Sequence, residues 1–304
     1  MLALSAVNAQ AQEPPDHWNR AGRAPSKLIS PLSVAASAQM IAIPGGRYPM
    51  GRNDGPASEQ PRHTVALNAF QIDRTEVTNA QFAEFLNALN LPIRGSFNIG
   101  GIALANGNAA TIRLLRTAAR GASPYPIIEL EDNDARIILV DGRFKAASGY
   151  ADHAVTETTW AGARAYCVWR GADLPTEAQW EAAARGMDDR TYPWGNARPD
   201  AKRVSASGRR GQTDPVGRQT SGASPFGVLD MAGSLAEWTK SLKKPYPYRA
   251  EDGREKVDAA GERTTRGGDY AYDDKASNFR VSFRDSWSTA PYNGHGHIGF
   301  RCAS

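Results

Sequence analysis

Apolar and polar positions keep several distinct rhythms along this chain. MIAIPGGRYPMG, from Met40 to Gly51, is an apolar run broken at Pro44-Gly45-Gly46, which predicts strand, turn and strand. HTVALNAFQID, from His63 to Asp73, alternates apolar with polar residues and predicts a further strand. TEVTNAQFAEFLNALN then changes to helical spacing. Phe82, Phe85, Leu86 and Leu89 fall on one face, so this helix turns toward a core, with Thr78 as its N-cap. Between residues 91 and 147 the rhythm loosens, and RIILV and RFKA, joined by Asp141-Gly142, predict a small hairpin inside an insertion. TWAGARAYCVWRGADLPTEAQWEAAARG predicts two helices around a loop; Thr176 offers an oxygen cap and Glu177 a first-turn carboxylate to the second. Beyond that the chain is rich in Gly, Pro, Asn, Asp and aromatic residues, with little helical periodicity and no internal repeat. The expected fold is one α+β domain over residues 39–304 with a loop-heavy C-terminal half. Residues 1–38, rich in Ala, Pro and Ser, read as a leader and tether.

Composition narrows the classes. Hydrophobic residues at 41% and charged residues at 22% of 304 fit a soluble globular protein. The net charge of +4 comes partly from short clusters, SGRRGQ and SLKKPY, which read as a solvated basic edge rather than a nucleic-acid groove. No apolar run approaches the roughly 20 residues needed to cross a bilayer. The N-terminal MLALSAV lacks a basic flank, yet Ala9-Gln10-Ala11 is an A-x-A cleavage pattern before polar, Pro-rich chain. It reads as the tail of a secretory signal and places the protein in a periplasm or outside the cell; the alternative is a disordered cytosolic arm. Cys167 and Cys302 lie 135 residues apart, too far for a zinc motif. After export they would form one disulfide, contributing about 4–5 kcal/mol in the chain-entropy view. In a cytosol they would be two reduced, buried thiols.

The motifs IPGGRYPMG, EVTNAQFAEF, AYCVWRGADLPTEAQWEAAARG, YPWGN, FGVLDMAGSLAEWT, RGGDY and GFRCA follow one another in the order found in the formylglycine-generating enzyme (sulfatase-modifying factor) family. The resemblance covers about residues 38–304. It implies a C-type-lectin-like fold with few regular elements, long loops packed by tryptophans, and a disulfide between Cys167 and Cys302. Members of that superfamily include copper-dependent generators of formylglycine, iron-dependent sulfoxide synthases, an exported group that matures the siderophore pyoverdine, and hypervariable ligand-binding proteins.

The resemblance also exposes what this chain lacks. Cu(I) is soft and needs two thiolates. The segment RGGDYAYDDKASNFRVSFR has none: Tyr272 stands near the first cysteine position, Ala276 or Ser277 near the second, and Asp269 replaces a serine. Copper is therefore not expected. The sulfoxide synthases take most of their histidine triad from an additional helical domain that this chain does not carry. Of its five histidines, His295 and His297 form the one cluster, and with Asp269, Asp273 or Asp274 they would make a metal site; the plainer reading is loop residues packed on aromatics. One calcium at Ser234 and Glu237 is the remaining cation expectation, weakened because Ser234 replaces the family's asparagine.

Aromatic and hydrogen-bonding residues spaced by glycines make recognition surfaces. The expected catalytic residues are Asp269, Tyr272 and His297. The expected ligand contacts are Tyr270, Asp273, Asp274, Arg280, Arg284, Trp287, Tyr292, Asn293 and His295. Trp160, Trp169, Trp180, Trp194 and Trp238 lie in the shared motifs and are expected to pack the fold. The partner is a small molecule or peptide, not nucleic acid. The expected function is oxidative maturation of a secreted small molecule or peptide, with Asp269 or His297 handling a proton of a phenolic or catechol-like substrate. The alternative is a non-catalytic ligand-binding module on the lectin-like frame.

Overall fold

A computed structural model of the chain describes residues 39–88, 112–114, 125–130, 132–206, 213–272, 275–284, 291 and 293–304. The predicted tether, and Asp273, Asp274, Trp287 and Tyr292, lie outside the described residues.

The Pro44-Gly45 turn separates two strands as expected, but they do not pair with each other. Strand β1 (Met40–Ile43) runs antiparallel to β4 (Phe70–Asp73), and β2 (Gly46–Met50) to β3 (His63–Leu67). The single strand predicted over His63–Asp73 is thus split at Asn68-Ala69. The two breaks face each other: a Cβ at Gly45 would stand 2.9 Å from the Ala69 backbone nitrogen. Both chains bend at one level, and only a glycine lets them come so close.

Helix α1 (Asn79–Ala88) starts where its cap predicts. Gln81 N–H donates to Thr78 Oγ1 at 3.3 Å and Thr78 N–H to Gln81 Oε1 at 2.9 Å, a reciprocal capping box. Phe82, Phe85 and Leu86 are buried; Leu89 lies outside the described residues. Within the insertion, β5 (Ile112–Leu114) pairs with β6 (Tyr125–Ile128), and β7 (Ile137–Val140) with β8 (Arg143–Ala146). The second hairpin turns at Asp141 (φ 51°) and Gly142 (φ 76°), the left-handed pair that an Asp-Gly dipeptide favours. The Asn87 side chain clamps α1 to this hairpin, donating to and accepting from the Phe144 backbone at 2.9 Å each.

Helices α2 (Trp160–Trp169) and α3 (Glu177–Arg185) follow. Thr176 and Gln179 form a second capping box at the start of α3, where the Glu177 carboxylate suits the exposed N–H groups. The main core gathers Phe82, Phe85, Tyr166 and Phe300, with ring centroids 5.3–6.0 Å apart. Trp160, Trp180 and Trp238 are buried with each indole N–H donating inside the protein, the packing role expected of them; Trp169 and Trp194 are half-buried at the core's edge. A disulfide joins Cys167 of α2 to Cys302 near the C-terminus, the pairing implied by the resemblance. The architecture is α+β with small sheets and little regular structure. No described helix is long and apolar enough to cross a membrane.

One three-stranded sheet positions the site. Its order is β10 (Arg263–Arg266), β9 (Ala236–Leu242), β11 (Ile298–Gly299), with β10 antiparallel and β11 parallel to β9.

Candidate functional site

The registers of that sheet decide which loops meet. Arg266, the last residue of β10, pairs with Glu237, and Ile298, the first of β11, pairs with Ala236. The turn that leaves β10 and the loop that enters β11 therefore emerge side by side at the start of β9. RGGDYAY and NGHGH, far apart in sequence, become neighbours by strand pairing alone.

Gly267 (φ 103°) and Gly268 (φ 69°) take the chain out of β10 through left-handed backbone, with Gly267 against the Trp180 ring. Asp269 is fully buried, and its Oδ1 accepts the N–H groups of Ala271 and Tyr272 at 2.7 Å each. It holds the turn rather than facing a ligand from the surface. Tyr270 is also buried: its N–H donates to Ser234 O at 2.8 Å, and its hydroxyl donates to Gly296 O at 3.3 Å, tying the turn to the histidine loop. Tyr272 is the residue left outward, 41% exposed, with its ring edge-on to His297 at 5.0 Å. His295 and His297 are half-buried with ring centroids 5.5 Å apart, and Asn293 is exposed. Burial pushes the His295 imidazole below its ordinary value, so it is neutral at pH 7, and its Nε2 has no hydrogen-bond partner among the described residues.

Behind this loop lies a feature the sequence reading missed. Carboxylate oxygens of Asp132, Asp134 and Glu157 lie within 4.8 Å of one another, the one metal-sized set among the described residues, and it includes neither histidine. Side chains at Gly294 and Gly296 would run into Glu157 and Asp134, which is why the loop spells G-H-G-H. The acid-rich ELEDND was the available signal, but it read only as part of the insertion.

Other expectations are corrected. Arg284 does not face a ligand. It is buried, donating to Glu177 Oε1 at 2.7 Å and to the carbonyls of Ser58 and Lys244 at 2.9 Å each. Arg280 is half-buried, and its Nε has no partner among the described residues. The calcium expectation fails on its donor set. Both Glu237 oxygens accept from Arg301, at 2.6 and 2.7 Å, and one also from Trp180, while the Ser234 hydroxyl donates to Glu76. A fixed guanidinium already satisfies the carboxylate that a cation would need. The copper of the related enzymes fits no better. The chain's two cysteines are a buried disulfide, and no thiolate remains for a soft metal.

The sequence profile of the sulfatase-modifying factor enzyme 1-like domain matches residues 25–304. The formylglycine-generating enzyme of Streptomyces coelicolor is 32% identical over 286 residues, 87% of this chain and 88% of that protein. The inactive C-alpha-formylglycine-generating enzyme 2 of Bos taurus is 29% identical over 286 residues, covering 90% of each. Among solved structures, PvdO from Pseudomonas aeruginosa superposes with a TM-score of 0.56 at 20% identity, over 87% of this chain and 93% of that one, a likeness of fold.

Proposed function

This chain belongs to the sulfatase-modifying factor enzyme 1-like family, and on that premise we propose that it carries out a thiol-free oxidative maturation of an exported small molecule or peptide. The observation that carries this reading is an exchange of side chains. Near the position where the resemblance implies a cysteine in the copper enzymes, this chain presents exposed Tyr272 edge-on to His297, with neutral His295 beside it.

A phenolic or catechol-like group stacks on Tyr272, whose ring offers a flat apolar face at small entropic cost. An imidazole of the pair accepts the first phenolic proton, and the resulting catecholate is a far better electron donor than the neutral ring. Dioxygen then takes two electrons and two protons from the catechol, leaving a quinone and hydrogen peroxide. Asp269 acts by holding the turn that sets Tyr272 in place. Export is supported by the A-x-A sequence in the leader and by a disulfide that an oxidising compartment would maintain.

The test is oxygen uptake and peroxide release by the full chain with 4-methylcatechol. Turnover should appear and should be lost in Tyr272→Ala and in His297→Ala. Binding of the catechol without oxygen consumption would replace this reading with the non-catalytic ligand-binding module. Copper-dependent appearance of an aldehyde on a cysteine-containing peptide would overturn both.

A further inference from the structure

A concentration of arginine lies away from the Tyr272 loop. A cavity of about 340 Å³ opens between the Gly51–Asp54 loop, the chain after α3, and Val281-Ser282. Arg52, Arg62 and Arg190 line it, and Arg185 forms its floor. None of these belongs to the loops described above.

The way each guanidinium is paired separates the floor from the walls. Arg185 is buried and locked to Glu181 and to the Gly51 carbonyl. The wall arginines are paired to aspartates that stand in water. Arg52 meets Asp54 at 2.7 Å, Arg190 meets Asp188 at 2.6 Å, and Arg62 meets Asp189 at 2.6 Å. The arginine side chains are 17, 20 and 40% exposed, and their aspartate partners 78, 59 and 69%. Arg52 on Asp54 and Arg190 on Asp188 are two-pronged, whereas both Arg62 nitrogens share a single Asp189 oxygen, so Asp189 is the aspartate most easily displaced. Arg52 and Arg190 are half-buried, and Arg190 is held further by donating to Pro193 O at 3.0 Å, while Arg62 is the exposed arginine of the three. Half-buried Arg280 stands close enough for its charge to act on Asp54. That carboxyl lies below its usual range, first through the Arg52 hydrogen bonds and further through Arg280.

We infer that this cavity is an oxyanion-binding site that takes a sulfate or phosphate group, free or as an ester, with the three aspartates as displaceable placeholders. A tetrahedral oxyanion offers more acceptor oxygens than one carboxylate and matches the fork of each guanidinium. Several arginine heads converge on one such group as each aspartate turns to water.

The test is titration calorimetry of the full chain with inorganic sulfate and, separately, inorganic phosphate at low ionic strength. Saturable binding of at least one anion is expected, and the preferred anion identifies the ester class. Arg62→Gln and Arg190→Gln should each weaken it about tenfold, the loss of one charge-assisted pair. Asp189→Asn should tighten it several-fold, because a competitor for Arg62 has been neutralised. This substitution is on an exposed residue, so the readout does not depend on a damaged fold. The inference is overturned by no saturable binding of either anion, by binding indifferent to both arginine changes, or by weaker binding in Asp189→Asn. Catechol turnover is a separate measurement, so this site and the proposed activity stand or fall independently.

Discussion

Among the described residues, Trp180 stands between two buried clusters of charge. Its ring packs under Arg266, 5.3 Å from the guanidinium, while its indole N–H donates to Glu237 on the other side. The first cluster is rich in arginine. Arg266 donates to Glu177 at 2.8 Å and Glu181 at 2.5 Å, Arg284 also holds Glu177, and Arg185 also holds Glu181. The second is rich in acid. Its guanidinium is that of Arg301, paired to Glu237, with Glu76 and Asp230 close enough to feel the same charges.

Burial works against every one of these carboxylates, yet the outcomes diverge. Desolvation would raise Glu181, but Arg266 and Arg185 outweigh it and hold its pKa below the ordinary value. Desolvation raises Glu76 well above, and the nearby Asp230 and Glu237 charges add to it while Arg301 is too shared to compensate. Charge count in the immediate shell, rather than depth, decides the sign.

The comparison can be broken most directly by Arg266→Met. Removing this arginine leaves two buried carboxylates short of a partner, and unfolding free energy at pH 7 should fall by about 3–5 kcal/mol in a denaturant titration. A loss below about 1 kcal/mol would mean the cluster is mere packing. Glu76→Gln should act in the opposite direction. A carboxyl raised in the folded state takes stability away as pH rises from its ordinary value toward the folded one. The Gln variant should therefore be more stable than the parent at pH 7, and the two should converge as pH falls below the ordinary carboxylate value. Glu181 predicts the mirror image: its contribution is present at neutral pH and is lost as pH falls through its lowered pKa. The smallest expected effect is from Tyr272→Ala, which changes an exposed side chain. Stability should move by no more than about 0.5 kcal/mol while catechol binding is lost, separating the outward residue of the loop from its buried neighbours.

These clusters also mark where sequence reasoning stops. Glu177 reads correctly as a first-turn acid of α3, yet both its oxygens are taken by Arg266 and Arg284, 89 and 107 residues away. Arg284 and Tyr270 sat in a segment whose composition suggested a recognition surface. They are buried because β10 and the loop ahead of β11 converge on β9, and that convergence depends on registers no local pattern encodes. Tyr272, two residues from Tyr270, is the one that turns outward. Residues two apart point the same way on an extended strand, and it is the Gly267-Gly268 turn held by Asp269 that separates this pair.

Short-range physics wrote several features into the sequence itself. Thr78 and Thr176 cap their helices, Asp141-Gly142 turns its hairpin, Phe82 and Phe85 face the core, and the family motifs name the fold. The want of a thiol in RGGDYAYDDKASNFRVSFR is equally a matter of composition. Each of these follows from interactions within one or two turns of chain, or from simple inventory. The tertiary structure alone decided which charged groups are locked inside, which carboxylates back the histidine loop, and which arginines line a cavity paired to exposed aspartates. Burial and ion pairing depend on the sum of distant neighbours, and only the closed fold brings those neighbours within reach.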